Sequence, residues 1–200
     1  MKTNIIKKME ILKDLLVAKE IKFDDGLTDI EVKKIEEKFD IKFPPDLKCF
    51  LQLGLPISKS FVNWREALSS EIVAESILFK LDWPLSGMLF DLEHNNFWLK
   101  IWGEKPKMYK VQERVVKERY LTFPKLIPIF SHRYIPMTPN EENNPIFSVH
   151  QMDIIYYGYD LISYFANEFK LELPEELKST ENYKNIEFWS DWVNGELEEY

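Results

Sequence analysis

Asn144-Pro-Ile-Phe-Ser-Val-His-Gln-Met-Asp-Ile-Ile-Tyr-Tyr-Gly158, followed by Asp160-Leu-Ile-Ser-Tyr-Phe165, decides the fold class. Ile146 to Val149 reads as one short strand and Ile154 to Tyr157 as a second. Both are rich in the β-branched and aromatic residues that suit a pleated surface. Gly158 breaks the second strand, and Asp160 can cap a helix by accepting the free amides of its first turn. That helix, 160–170, carries Leu161, Tyr164, Phe165 and Phe169. Upstream, Leu126-Ile-Pro-Ile-Phe-Ser-His-Arg-Tyr-Ile135 reads as one strand. Pro128 cannot donate to a ladder, so it belongs on an edge or at a bulge. Residues 136–144 form a loop.

The remaining elements are helical. Ile5, Met9, Leu12 and Leu16 recur at helical spacing and give an amphipathic helix over 4–19. Thr28-Asp-Ile-Glu31 has the capping-box form ahead of a helix over 29–39 that buries Ile35 and Phe39. Pro44-Pro45 opens a short helix, 45–53, with Leu47, Phe50 and Leu51 as its core face. Ser69 or Ser70 caps a helix over 71–81 that Pro84 interrupts, with a second piece over 85–92. Phe97-Trp-Leu-Lys-Ile-Trp102 reads as a strand or an exposed apolar edge. Further helices are expected over 107–119 and from Ile186 to Leu197, the last carrying Trp189 and Trp192. Helices, then strands, then helices make an α+β class rather than a doubly wound sheet.

The 200 residues are 45% hydrophobic and 14% aromatic, so a core burying roughly 70% of the unfolded surface is affordable. The net charge of -8 is uneven. Residues 172–200 hold nine acidic and two basic side chains and carry most of the excess. This argues against binding a phosphate backbone, which needs clustered Lys and Arg. It is compatible with a basic protein partner, and it suits a surface that only favours solubility. Cys49 is the single cysteine and sits in an apolar helical setting, which excludes an internal disulfide. No secretory signal and no apolar run of membrane-spanning length is present, which points to the cytoplasm.

Chemistry-bearing constellations are sparse. His132, His150 and Asp153 are the metal candidates, but a metal needs three or four converging ligands and spacing alone does not bring them together. Neither histidine has a paired nucleophile. The pairs Asp91/Glu93 and Glu141/Glu142 read as solvated charges. No glycine-rich phosphate loop occurs. Trp98 and Trp102 read as packing residues, with a base-stacking platform as the alternative.

The chain resembles the SUKH superfamily, which includes fungal cell-wall-synthesis regulators and bacterial immunity proteins. The resemblance is carried by Gly26-Leu-Thr-Asp-Ile-Glu31, Ile35-Glu36, Phe43-Pro-Pro-Asp-Leu47, Leu51 and Leu55-Pro56. Phe90 to Leu99, Trp102-Gly103, Leu126-Ile-Pro-Ile129 and Pro145 to Val149 are similar to a bacterial branch. The family's longer glycine-rich turn is absent after Gly54. The resemblance implies an α+β domain with a central, mainly antiparallel sheet flanked by helices. Residues 26–170 would form that domain, 1–25 a helix packed on it, and 171–200 an acidic helical extension. It also implies a non-enzymatic immunity protein or antitoxin that binds a basic toxin domain. No cofactor, metal, nucleic acid or membrane is expected from the charge, hydropathy and ligand pattern. Exposed groups near the strand ends, His132, Arg133, Tyr134, His150 and Asp153, are then the expected partner contacts. The alternatives are a regulatory scaffold with several partners and a metal-dependent hydrolase built on His132, His150 and Asp153.

Overall fold

The computed structural model describes residues 2–178 and 182–200. Four strands form an antiparallel meander: β3 (Leu126–Phe130), β4 (Arg133–Pro136), β5 (Ile146–His150) and β6 (Asp153–Gly158), in that spatial order. Side chains alternate between faces along a strand. Ile127, Ile129, Ile135 and Ile146 enter one core, while Leu126, Tyr134, Phe147, Val149 and Ile154 enter another. The sheet is therefore covered on both sides, as an α+β architecture with a central antiparallel sheet requires.

The first core is closed by α1 (Lys2–Ala18), α2 (Asp29–Phe39), α3 (Pro45–Leu53) and α6 (Leu161–Phe169). The Thr28/Glu31 capping box forms at the start of α2, and a second box joins Asp160 to Ser163 at the start of α6. Asp24 of β1 (Phe23–Asp24), which pairs with β2 (Leu55–Pro56), is held to the α2 cap by Arg65. Its guanidinium donates to Glu31 Oε1 at 2.6 Å, Asp24 Oδ2 at 3.0 Å and Gly26 O at 2.8 Å.

The second core is closed by α4 (Glu71–His94), α5 (Tyr109–Tyr120), α7 (Trp189–Val193) and the segment 97–102. At 1.5 Å per residue, the 24 residues of α4 span roughly 36 Å. This length lets Ala74, Ile77 and Leu81 reach the first core while Met88 and Leu92 reach the second.

Four sequence expectations change. The strand expected over 126–135 is two strands, because Ser131 takes a left-handed φ of 49° and turns the chain back. Pro128 does lie on the edge strand, beside a register shift. The helix expected to stop at Pro84 runs through it. The Lys80 carbonyl, which a proline amide cannot satisfy, accepts the Tyr134 hydroxyl at 2.9 Å. Phe97 to Trp102 is not a strand beyond a single antiparallel bridge from Leu99 to Glu199, and all its apolar residues but Ile101 are buried. The rings of Phe97, Trp98, Trp102 and Trp192 meet edge to face at 5.4–5.6 Å, and Lys100–Trp102 winds into a 3-10 turn. The final helix shrinks to Trp189–Val193, bounded by positive φ at Phe188 (65°) and Gly195 (72°).

The acidic C-terminal segment is part of the folded body. Leu177, Ile186, Phe188 and Trp189 are buried, and Trp189 and Trp192 donate to the carbonyls of Pro124 and Met152. Glu176 pairs with Lys7 and Glu198 with Lys100, while Glu172, Glu187, Glu196 and Glu199 remain exposed. No described helix is long and apolar enough to cross a membrane.

Candidate functional site

Two tight turns and one long helix frame a groove of about 570 Å³. The helix is α4, which contributes Ser76, Phe79, Lys80 and Trp83. The β3–β4 turn contributes Ser131 and His132, β4 adds Tyr134, the end of β5 adds His150, and Ser60 closes the rim. The volume falls in the range of ordinary ligand sites.

The walls are held from below. Gly87 lets α4 approach the β5–β6 turn so closely that a Cβ there would stand 2.6 Å from Gln151 Cα. One turn later, Asp91 Oδ2 accepts the Met152 amide at 2.8 Å, and its other oxygen accepts from Asn95. Asp91 is buried, which corrects its reading as a solvated charge. It satisfies an otherwise unpaired amide of the turn that presents His150. Trp83 Nε1 donates to Val149 O at 3.3 Å, and Lys80 Nζ donates to Ser131 O at the same distance.

Electrostatically the groove opposes the chain as a whole. Lys80, His132 and His150 line it, and among the described residues no carboxylate does. Burial pushes the Lys80 ammonium below its ordinary pKa. Burial also lowers His132, aided by the neighbouring Arg133, His150 and Lys80 side chains. Each shift has the sign expected of cations lacking a counter-charge.

Of the expected partner contacts, the structure brings His132 and His150 to this groove. Asp153 is exposed and stands opposite His150 in register. The expected exposure of Arg133 and Tyr134 is corrected: both are buried. Arg133 lies between the sheet and α6, with Nε 3.2 Å from Glu168 Oε2, NH1 2.9 Å from Ser148 Oγ, and its plane over the Tyr157 ring at 3.8 Å. Tyr134 shows the groove only part of its ring, because its hydroxyl is committed to Lys80 O. Among the described residues, no three His, Cys, Asp or Glu side chains gather closely enough to hold a metal ion. His132, His150 and Asp153 are thus not assembled as a ligand set. Cys49 is half-buried, with its thiol pKa raised by burial, as an apolar setting dictates.

No family model, curated protein or solved structure matches the chain.

Phe79, Lys80 and Trp83 escaped the sequence reading. The signal was there, because α4 is apolar on two sides. Ala74, Ile77, Leu81 and Met88 supply the buried side, and Ile72, Phe79, Trp83 and Phe90 supply a second. At 100° per residue those four fall within about 40° of arc. Ile72, Phe79 and Phe90 are 80%, 62% and 45% exposed and face solvent, while Trp83 is half-buried against the second core.

Proposed function

We propose that this chain is a non-enzymatic protein-binding domain that acts as an immunity protein or antitoxin, neutralising a toxin by direct contact. The observation that carries this reading is the outer stripe of α4. Single exposed apolar residues are normal on any protein. A stripe of Ile72, Phe79, Trp83 and Phe90 along one helix face, bordering a groove with convergent polar groups, has the makeup of an interface. Aromatic anchors beside a groove supply most of the energy in such contacts, while polar groups set orientation.

Two further features support it. The SUKH resemblance implies an immunity role. The exposed carboxylates of the C-terminal segment give the chain a negative potential that speeds encounter with a basic toxin.

The test is co-expression with the product of the reading frame immediately upstream in the producing cell, followed by purification of both. The reading predicts rescue of growth and a stable complex whose association slows as salt rises. Absence of both rescue and complex contradicts it.

A further inference from the structure

We infer that the α4 groove receives an acidic segment of the partner protein, one that places a carboxylate beside an aromatic or aliphatic side chain. This rests on the protein-binding reading and specifies the chemistry of the contact.

Lys80 projects from α4 into the groove with Ser131 O, at 3.3 Å, as its acceptor, and among the described residues its ammonium makes no ion pair. A partly buried ammonium with one long hydrogen bond has donors to spare. His132 and His150 add two more groups able to carry positive charge, on the opposite wall. The nearby carboxylates are engaged elsewhere or stand outside. Glu168 pairs with Arg133 beneath the sheet, Asp82 accepts from Ser86, and Asp153 lies across the β5–β6 turn from His150 without lining the groove. An incoming carboxylate would therefore supply the counter-charge that this lining lacks.

The apolar half of the ligand follows from the other wall. Phe79 and Trp83 meet edge to face at 5.6 Å, and Phe79 is 62% exposed. Their rings form a ledge next to Lys80, and Ile72 and Phe90 lie on the same face of the helix. A free small anion would use the Lys80 ammonium and leave the ledge uncovered. A polypeptide segment uses both, and that pairing of a cation with an exposed aromatic ledge selects a protein segment as the occupant. The chain-wide charge of -8 governs approach over long range, whereas the groove governs what docks there.

The test uses two pools of nonapeptides that share the same Phe, Leu and Trp content. One pool has Asp and Glu at its polar positions and the other has Lys and Arg. Each is titrated at low salt into the isotopically labelled full chain, and NMR follows the Trp83 indole N–H and the His132 ring. We expect the acidic pool to shift the Trp83 signal and to raise the His132 titration midpoint, as an adjacent carboxylate must. Lys80→Met and Phe79→Ala should each weaken binding by about tenfold. Phe79 is exposed, and Lys80→Met keeps the packing of the stem while giving up only the 3.3 Å bond to Ser131 O, so both variants retain the fold. The inference is overturned if the basic pool binds as well, if neither pool perturbs the groove, or if inorganic phosphate alone reproduces the shifts. A toxin complex that forms but is indifferent to Lys80→Met would overturn this assignment while leaving the protein-binding reading in place. Binding of the acidic pool without any toxin complex would overturn the immunity reading and leave the groove assignment in place.

Discussion

The Tyr134 hydroxyl donates to the Lys80 carbonyl at 2.9 Å, the carbonyl that Pro84 leaves without its helical amide. This one bond explains how a 24-residue helix survives an internal proline, and it ties α4 to β4 at the floor of the groove. Tyr134→Phe leaves a largely buried carbonyl short of its donor and should cost about 1–2 kcal/mol. In the Pro84→Ala background an amide is restored at that carbonyl, so the same Tyr134→Phe change should cost less. A double-mutant cycle by chemical denaturation should show a coupling of about 1 kcal/mol. Additive effects would mean that the hydroxyl does not stand in for the missing amide.

Gly87→Ala tests the approach of α4 to the β5–β6 turn. In an open helix the change would gain about 1 kcal/mol from propensity. Here the new methyl meets Gln151 Cα at 2.6 Å, a backbone atom that cannot rotate away. Overpacking of this kind costs about 1–3 kcal/mol, so net destabilisation is expected. A raised melting temperature would show that the contact is looser than described.

Arg133→Ala should lower stability rather than only weaken a complex. It strips Glu168, itself mostly buried, of its partner and removes the stacking on Tyr157. Breaking a buried pair on one side costs about 3 kcal/mol. At 2–4 °C per kcal/mol for a chain of this size, the melting temperature should fall by roughly 6–12 °C. A fall of only a degree or two would return Arg133 to the surface.

Acid stability should show two opposed contributions. Burial pushes the Asp46 carboxyl from its ordinary 3.8 up to about 6, against hydrogen bonds from the amides of Asn143 and Leu47 and with a further push from Asp160. A raised carboxyl favours the folded state when protonated. Its stabilising effect is complete below pH 3.8 and is lost as pH climbs through 6, a change of about 3 kcal/mol. Glu31 behaves oppositely. Arg65 holds its pKa down to about 2, so its contribution is present above pH 4.5 and disappears as pH falls through 2. Asp46→Asn should flatten the stability profile between pH 4 and 6 and leave the region below pH 4 to Glu31. An unchanged slope between pH 4 and 6 in the variant would contradict the assignment.

What the sequence revealed depended on whether the signal was local. The capping box at Thr28, the helix cap at Asp160, the Pro128 edge and the β5–β6 pair rest on neighbouring residues, and each is legible. Pro84 misled because its remedy, Tyr134, lies 50 positions away. Arg133 and Tyr134 looked like exposed polar groups because strand alternation says which face a side chain takes, and here helices cover both faces. His132 and His150 were found as strand-end residues, but their groove was not, because its other wall comes from α4. The doubly apolar pattern of that helix was visible, yet only the folded chain shows which stripe is left in solvent.

The central claim is that α4 and its groove form a protein-docking face. Its most direct test is the dissociation constant of the complex with the product of the upstream reading frame, the proposed partner, measured by calorimetry for the native chain, Phe79→Ala, and Glu37→Ala on the remote α2. The account predicts a loss of about 2 kcal/mol, roughly thirtyfold, for Phe79→Ala with an unchanged melting temperature, and no change for Glu37→Ala. Equal affinity of Phe79→Ala and the native chain would contradict it.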